Sequence, residues 1–434
     1  MSDMHSPLQE VDPAIHTLIA QEEKSQASVV RLIASDNYIS KAVKEATASC
    51  FGNKYAEGYS YVWKDGERQR KNGRYYQGQD YINEVETIAI ERCLKLFAPG
   101  KEDQYHANVQ PLSGAPANFA VLNALLEPGE RMLGLALESG GHLTHGHKVN
   151  VTAKFFSASQ FKLGADDRLD YDSIRQIARE VRPKVMIVGT TAYPRAIDFA
   201  VVGDIAKEVG AFLVADVAHI SGLVATGCHP HPFPHADVMT MTTHKVLRGP
   251  RGGIIVCKKE LGEKIDRSVF PSLQGGPHMN NIAGIAVALK EALRPDYTAY
   301  ARQVVANSKK LADRMLENGF SLVTGGTDNH MIVCDVTKGS SDIRVQGGTW
   351  MANKMEKAGL ICNKNSVPGD VKPWVPSGIR VGTPAITTVG FKEAEMVMVG
   401  DWIKRVAMHG DDDSVLEAIR NEAAELMSRM SVPL

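Results

Sequence analysis

The sequence lacks the features that mark several large classes of protein. No apolar run reaches the roughly 18 residues that a membrane-spanning helix needs, and the first residues show no basic region followed by an apolar core, the pattern of a secretory signal. Basic and acidic residues almost balance, with 49 Lys and Arg against 50 Asp and Glu, and no polybasic block occurs. We therefore expect neither a membrane nor a nucleic acid to be a main partner.

Cysteine is also scarce. The chain has 434 residues and six cysteines, which are scattered without C-x-x-C spacing: Cys50, Cys93, Cys228, Cys257, Cys334 and Cys362. Thiols in this pattern are typical of a reducing compartment, so we expect a cytoplasmic globular protein without a disulfide framework. The length is enough for two or three packed units.

What the sequence does contain is an alternation of apolar strand patterns with amphipathic helix patterns between about residues 105 and 260. This order predicts an α/β fold with a mainly parallel central sheet and helices on both faces. Strands are predicted at 108–112, 184–189, 211–216, 237–243 and 253–257, and helices at 81–97 and 117–126.

The pattern changes after Pro295. A helix at 300–317 leads into a smaller α+β unit with strands near 320–323 and 331–335. A last helix is predicted to begin at Ser414, because Ser414 and Glu417 have the spacing of a capping box. We therefore divide the chain into an N-terminal arm (1–45), a large domain (46–294) and a small C-terminal domain (295–434).

Two residues at the ends of predicted strands point to a chemistry. Lys245 lies between the strand at 237–243 and a Gly/Pro-rich turn, a place that fixes an amine for Schiff-base formation with a carbonyl cofactor. Asp216 ends the apolar strand at 211–216. A pyridoxal phosphate enzyme requires both groups: a lysine that holds the aldehyde and an aspartate that keeps the pyridine nitrogen protonated.

Nine motifs between residues 32 and 385 carry a resemblance to a known family. They are Leu32-Ile-Ala-Ser-Asp-Asn, Asn53-Lys-Tyr-Ala-Glu-Gly-Tyr, Gly73-Arg-Tyr-Tyr, Gly140-Gly-His-Leu-Thr-His-Gly, Asp216-Val-Ala-His, Thr242-Thr-His-Lys, Gln274-Gly-Gly-Pro, Asn363-Lys-Asn-Ser-Val-Pro and Ser377-Gly-Ile-Arg-Val-Gly-Thr-Pro-Ala. In these motifs the chain resembles the serine hydroxymethyltransferases. The resemblance implies a fold-type I, aspartate-aminotransferase-like enzyme with pyridoxal 5′-phosphate bound to Lys245 and tetrahydrofolate as co-substrate.

The family also implies a set of residues around the cofactor. Ser113, Gly114 and Ala115 open a predicted helix, where free backbone N–H groups can bind phosphate. By resemblance, Gly276 offers its amide to the phosphate across a subunit interface, so we expect a homodimer, with a homotetramer as the larger alternative. The other predicted cofactor or catalytic residues are His142, which stacks on the pyridine ring, Thr191, His219, Thr242 and His244.

Arg380 and Glu57 are the main candidates for handling the substrate. A guanidinium can bind an amino acid's α-carboxylate with two hydrogen bonds, and the family places Ser35 beside it. Glu57 is the candidate acid/base for the proton on the hydroxymethyl oxygen. The resemblance adds Tyr55, Tyr76 and His219 to the amino-acid site, and Glu57, Tyr75, Leu137, Gly141, Leu143, Asn365, Lys372 and Trp374 to the folate site.

Two histidine clusters raise the question of a metal. They comprise His142, His145 and His147, and Cys228, His229, His231 and His235. The first cluster has no carboxylate or thiolate at ligand spacing, and three prolines interrupt the second. We therefore expect no metal site.

The chain departs from the family pattern at four places. Asp36 stands where the family has Glu, Thr191 where it has Ser, and Lys372-Pro-Trp374 replaces a Ser-Pro-Phe-like stretch. The largest departure is an insertion of about a dozen residues, 60–72, between Glu57 and Tyr75. The insertion carries Lys64, Arg68, Arg70 and Lys71 against Asp65 and Glu67, with Tyr61 and Trp63 as flat apolar faces. We hypothesise that its basic side chains meet the glutamate tail of a folate.

The expected reaction interconverts serine and tetrahydrofolate with glycine and 5,10-methylenetetrahydrofolate. The sequence leaves open a related enzyme acting on 2-methylserine, a folate-independent aldolase or transaldolase of β-hydroxy amino acids, and a non-catalytic paralogue. The joint presence of Lys245, Asp216, Glu57, His142 and Arg380 argues against the last of these.

Overall fold

A computed structural model describes residues 4–370, 372 and 374–434. The strands are β1 (Val30–Arg31), β2 (Val62–Lys64), β3 (Glu67–Gln69), β4 (Tyr105–Asn108), β5 (Arg131–Leu135), β6 (Ser157–Phe161), β7 (Val185–Gly189), β8 (Phe212–Asp216), β9 (Val238–Thr242), β10 (Gly253–Lys258), β11 (Phe320–Leu322), β12 (Met331–Gly339), β13 (Leu360–Ile361), β14 (Asn363–Asn365) and β15 (Gly378–Gly382). The helices are α1 (Leu8–Val11), α2 (Pro13–Ser28), α3 (Lys41–Thr47), α4 (Asp80–Phe97), α5 (Gly114–Leu125), α6 (Val151–Phe155), α7 (Tyr171–Val181), α8 (Phe199–Val209), α9 (Ser221–Ala225), α10 (Gly262–Arg267), α11 (Met279–Ala292), α12 (Pro295–Glu317), α13 (Gly348–Lys357), α14 (Pro384–Thr388), α15 (Glu393–His409) and α16 (Asp413–Ser428). No helix in these described ranges is both long and apolar enough to cross a membrane.

A seven-stranded sheet in the order β4-β10-β9-β8-β7-β5-β6 forms the centre of the molecule. The five strands from β9 to β6 are parallel, while β10 and β4 run antiparallel at one edge. Every residue of β7 and β9 is buried, and β7 accordingly reads as a continuous apolar run. The predicted α/β class with a mainly parallel sheet is confirmed.

A second, antiparallel sheet of four strands, β11-β12-β15-β14, lies in the C-terminal part of the chain. The N-terminal segment packs against this part, because β1 pairs with β13 and Val30, Leu32 and Tyr38 join the same hydrophobic core. The division of the chain at 45/46 and 294/295 stays a prediction.

Two local predictions are wrong. The strand expected at 108–112 ends at Asn108, since the side chain of Asn108 accepts the Gln110 N–H and Pro111 cannot donate to a ladder. The last helix begins one residue earlier than Ser414, because the carboxylate of Asp412 caps it by accepting the N–H of Ser414 at 3.0 Å.

Candidate active site

Lys245 lies in a tight turn just beyond the end of β9. Its carbonyl accepts the N–H of Arg248, and the N–H of Gly249 returns to the carbonyl of Thr243 at 2.7 Å, so the turn closes directly after the lysine. Burial, partly opposed by the attraction of Asp216, lowers the pKa of Lys245 to about 8. About a tenth of the amine is then neutral at pH 7, against well under a thousandth for an ordinary lysine.

Asp216 ends β8, the strand next to β9, and is held as a carboxylate. One oxygen accepts hydrogen bonds from Asn118 at 2.7 Å and from His145 at 3.0 Å, while the other accepts the N–H of Ala218. Burial alone would raise the pKa of Asp216, but the bonds from His145 and Asn118 lower it well below its usual range. A buried anion is therefore available at the carboxyl end of the sheet.

Sequence reasoning missed Asn118 and His145 as supports of Asp216. Asn118 is buried on α5, and its own oxygen accepts from Thr240 at 2.6 Å. A polar residue on the buried face of an otherwise apolar predicted helix was the signal that could have identified it.

His142 follows the Gly140–Gly141 turn and is neutral at pH 7. Burial lowers its pKa to about 4, although Asp216 opposes the shift, and its Nδ1 lies 2.7 Å from the hydroxyl of Thr144. His142, His145 and Asp216 offer ligand atoms within 4.8 Å of one another. The argument that this cluster has no carboxylate is therefore wrong, because parallel strand ends bring Asp216 to it from a distant part of the sequence. The hydrogen bonds to Thr144 and Asp216 account for both histidines, and the absence of a metal stays a prediction.

The predicted phosphate site is the start of α5. The helix begins at Gly114 with Ser113 as its N-cap, and the Ser113 side chain makes no capping hydrogen bond. The first amides of the helix therefore have no side-chain acceptor. A Cβ added at Gly114 would lie 2.7 Å from the Thr242 methyl group, so only glycine lets the helix start this close to β9. Ala115 continues the first turn.

Three further predicted residues border Lys245. His219 stacks on His330, a residue that sequence reasoning missed, and burial lowers the pKa of both rings. The hydroxyl of Thr242 donates to the carbonyl of Ala218 at 3.0 Å. His244 has a buried Nδ1 without a partner in the described structure, so one polar atom remains to be satisfied there.

The sequence around Arg380 predicts that it lies at a strand end, but Arg380 lies in the middle of β15. Its Nε donates to Asn363 at 3.0 Å and its Nη1 to the carbonyl of Thr191, while no described residue accepts from Nη2. Burial lowers the pKa of Arg380 to about 10, so the side chain remains a cation at pH 7. The turn containing Ser35 lies beside β15, because the Gly382 N–H donates to the carbonyl of Leu32.

Glu57 belongs to a second group of predicted residues. Its Oε2 accepts from the Tyr76 hydroxyl at 3.0 Å, and its carbonyl accepts the N–H of Tyr75. Tyr55 and Tyr76 are in edge contact at 5.3 Å, and a Cβ at Gly276 would lie 3.3 Å from the Tyr55 ring. The aromatic side chains face outward, since Tyr55 is 59% and Tyr75 70% exposed.

The predicted folate residues outside the Glu57 group differ in their surroundings and exposure. Leu137 and Trp374 line one cleft of about 1210 Å³, to which Lys148 and Lys162 also contribute. Trp374 is 75% exposed. The remaining members are Gly141, whose carbonyl accepts from Thr191 at 2.9 Å, Leu143 and Lys372, which are exposed, and Asn365, which is half-buried on β14.

The insertion at 60–72 forms a two-stranded hairpin from β2 and β3. Tyr61 is buried, and both Tyr61 and Trp63 donate hydrogen bonds to Asp266 at 2.8 Å. Tyr61 and Trp63 therefore do not form free apolar faces, because a buried carboxylate holds both rings against the body of the protein. Arg68 stacks on Tyr61, and Arg70 pairs with Glu84.

Comparison with known proteins agrees with this geometry. The family model described as serine hydroxymethyltransferase matches residues 8–403. The chain is 49% identical to a serine hydroxymethyltransferase of Desulfotalea psychrophila, with 99% of this chain and 97% of the relative covered. It is 48% identical to one of Acidothermus cellulolyticus, with coverages of 97% and 95%, and 45% identical to serine hydroxymethyltransferase 2 of Mesorhizobium japonicum, with coverages of 99% and 97%. A match along nearly the whole length, on this fold, means that the chain belongs to the serine hydroxymethyltransferase family, fold-type I enzymes that depend on pyridoxal phosphate and use tetrahydrofolate as co-substrate.

Proposed function

We propose that this chain catalyses the reversible transfer of the hydroxymethyl carbon of serine to tetrahydrofolate, with the residues of the two groups in the roles given below. One observation carries the proposal. A lysine of lowered pKa lies close enough to interact electrostatically with an ionised buried aspartate and with a buried arginine whose Nη2 is open. These are the groups that hold an aldehyde cofactor and an amino acid next to each other.

The residues present fit pyridoxal phosphate. Lys245 can supply the neutral amine that holds the aldehyde, and the anionic Asp216 can keep a proton on the ring nitrogen. The amides of Ser113, Gly114 and Ala115 lie at a helix start and would hold the phosphate, and His142 offers a neutral flat ring. When bound, the cofactor supplies an electron sink for the bond broken next to the amino nitrogen. Thr191, His219, Thr242 and His244 complete the walls of this pocket.

Arg380 orients the amino acid. Its Nε and Nη1 are fixed by Asn363 and Thr191, so the guanidinium is already aligned when a carboxylate reaches Nη2. Ser35 lies on the neighbouring turn and adds a hydroxyl. The rings of His219 and His330 beside Lys245 are neutral, because burial lowers the pKa of both, and this leaves Arg380 as the main cation for the α-carboxylate.

Glu57 handles the proton of the hydroxymethyl oxygen. Its Oε2 is hydrogen-bonded to Tyr76, and its Oε1 lies next to Gly275, so the carboxyl group is held on both sides. Tyr55 and Tyr75 present exposed aromatic faces around it, and Tyr75 offers a stacking surface for the pterin ring. Leu137, Gly141, Leu143, Asn365, Lys372 and Trp374 form the other wall of the folate site.

The active unit in this proposal is at least a homodimer. The outward-facing group of Tyr55, Glu57, Tyr75 and Gly276 would then complete the pocket of the partner subunit. The high exposure of the tyrosines supports this assignment, since exposed clusters of large aromatic residues are typical of interfaces. We also propose a cytoplasmic location, because all six cysteines are free thiols.

The test combines two impaired variants. As a pure protein, Lys245→Ala, which damages the pocket, is expected to abolish serine–folate transfer, and Glu57→Gln, which damages the outward-facing group, is expected to leave only a small residual rate. If sites are shared, a mixed dimer carries one site with both defects and one intact site, so an equimolar reassembled mixture recovers about a quarter of wild-type activity. The refolded single variants serve as controls. A mixture as inactive as its components would show that Glu57 serves the site of its own chain.

A further inference from the structure

Side chains of the 60–72 hairpin are hydrogen-bonded to a buried carboxylate that belongs neither to the cofactor pocket nor to the folate site. Asp266 on α10 is 1% exposed. Its Oδ1 accepts from His106 and Asn108, and its Oδ2 from Tyr61 and Trp63, all at 2.8 Å. Its backbone carbonyl accepts the hydroxyl of Tyr59 at 2.6 Å. One residue thus binds three successive aromatic side chains of the segment that follows Glu57.

The base of the hairpin connects this anchor to Glu57 without a flexible joint. The Gly73 N–H donates to the carbonyl of Tyr59, and the Tyr75 N–H donates to the carbonyl of Glu57. A Cβ at Gly58 would lie 2.3 Å from the carbonyl oxygen of Gly73, so the two chain segments touch at their backbones. A shift of Tyr59 or Tyr61 is therefore passed to Glu57 and to Tyr75.

A second buried pair holds the same base from the other side. The Arg74 guanidinium donates to Glu86 at 2.6 Å and to the carbonyls of Ala56 and Gly58, the two neighbours of Glu57. Glu86 also accepts the N–H of Ser60 at 2.7 Å. The polypeptide around Glu57 is thus fixed by charged groups that water does not reach.

Asp266 also lies a few residues before the chain segment that contacts Glu57. The chain continues from α10 through Phe270, whose ring contacts Tyr75 at 5.6 Å, to Gly275, where a Cβ would lie 3.2 Å from Glu57 Oε1. One anchor therefore sets the position of Glu57 relative to two parts of the chain: the segment that carries Glu57 and the 274–276 segment that it touches.

From these contacts we infer that the 60–72 hairpin is a clamp for the acid/base residue, with Asp266 as its anchor and with Tyr61 and Trp63 as positioning residues for hydroxymethyl transfer. The inference rests on the proposed role of Glu57. None of the three residues touches the substrate, and their effect passes through the placement of the Glu57 carboxyl group.

The test uses the mildest substitution in the anchor. Tyr61→Phe removes one hydrogen-bond donor and keeps the ring, and Asp266→Asn keeps the shape while placing an amide N–H₂ against donors. Both should lower kcat for folate-dependent transfer, Tyr61→Phe by on the order of tenfold, because small displacements of a reacting group are costly. The KM for serine and the bound cofactor should stay at wild-type values, since Arg380 and Lys245 lie in the other group.

Tyr171→Phe is the matched control. The Tyr171 hydroxyl accepts the N–H of Asp198 at 2.9 Å, far from the hairpin in the fold, so its loss removes one hydrogen bond of a partly buried tyrosine without affecting Glu57. The control should lose thermal stability as Tyr61→Phe does while keeping its kcat. Stability losses of equal size with kcat unchanged in Tyr61→Phe and Asp266→Asn would overturn the clamp.

A double-mutant cycle decides whether the effect passes through Glu57. In a Glu57→Gln background, Tyr61→Phe should cost no further rate, because the group being positioned is already gone. Full additivity of the two losses would contradict the clamp while leaving the acid/base role of Glu57 intact. Wild-type transfer in Glu57→Gln alone would instead contradict the proposed function, and with it the clamp.

Discussion

The two groups of site residues differ in how completely a single chain builds them. Lys245, Asp216 and Arg380 are buried. Burial lowers the pKa of Lys245 and Arg380, while hydrogen bonds from His145 and Asn118 lower the pKa of Asp216. Around Glu57 the aromatic residues point outward, with Tyr55 59% and Tyr75 70% exposed. Tuning an amine requires exclusion of water, which one chain can provide, whereas binding a second substrate across an interface requires an open surface.

Substitutions in the enclosed pocket should cause the largest losses of activity, and removal of the Lys245 amine the largest of these. Lys245→Ala removes the amine that holds the cofactor and releases the product, so turnover should fall to the background level. The protein should still fold, because the side chain accepts and donates no structural hydrogen bond among those described. Activity assays together with the visible absorption spectrum check this, and multiple turnover at near wild-type rate would show that the Schiff-base lysine lies elsewhere.

Arg380→Ala should have the next largest effect, on KM for the amino acid. Loss of the cation and of its charge-assisted hydrogen bonding from Nη2 costs on the order of 3 kcal/mol, which corresponds to roughly a hundredfold rise in KM. Cofactor content should not change. Arg380→Lys is the control, since it keeps the charge without the planar guanidinium, and its KM for the amino acid should lie between those of the wild type and Arg380→Ala. Saturation by serine at wild-type concentration in Arg380→Ala would place the carboxylate site elsewhere.

The same comparison shows what sequence can and cannot predict. The parallel strands β7 and β8 were found because burial gives them uninterrupted apolar runs, and β9 was found from its β-branched residues. Asp216 and Lys245 followed from the ends of β8 and β9. Asn118, His145 and Asn363 were not assigned to the site, because their roles depend on contacts between residues far apart in the chain. Asp412 caps α16 although Ser414 has the spacing of a capping box, so spacing alone does not decide which of two nearby residues caps a helix.

The insertion illustrates the same limit. Its basic composition suggested a ligand-binding loop, yet the aromatic residues that looked available are held by Asp266, which lies some 200 positions further along. A short segment can show which side chains are amphipathic but not which distant carboxylate will accept their hydrogen bonds. Tyr61 and Trp63 therefore became structural anchors.

The lowered pKa of Lys245 predicts a pH dependence that only the enclosed pocket should show. Burial favours the neutral amine, so covalent uptake of pyridoxal phosphate by the apo-protein should rise with pH around a midpoint of about 8 and not near the ordinary lysine value. Stopped-flow absorbance across the pH range measures it. Because Asp216 raises the pKa of Lys245, Asp216→Asn should move the midpoint downward, and a midpoint above about 10 in the wild type would contradict the described burial.

The smallest expected effect concerns the exposed face of the hairpin, the part of the outward-facing region least fixed by contacts. Arg68 is engaged with Tyr61 and Arg70 with Glu84, which leaves Lys64 and Lys71 exposed for the glutamate tail of a folate. Each solvent-exposed charge contact contributes only a fraction of a kcal/mol and is screened by salt. Replacing both lysines with serine should therefore raise the ratio of the KM for polyglutamyl tetrahydrofolate to the KM for monoglutamyl tetrahydrofolate. The expected rise is about two- to fivefold at low ionic strength and smaller at high ionic strength. Serine substitutions at the exposed Arg302 and Lys309 of α12 provide the charge-matched control. An unchanged ratio at low salt would remove the hairpin from tail recognition and leave it with the anchoring role alone, because its buried face would still hold Glu57 while its charged face would contact no ligand.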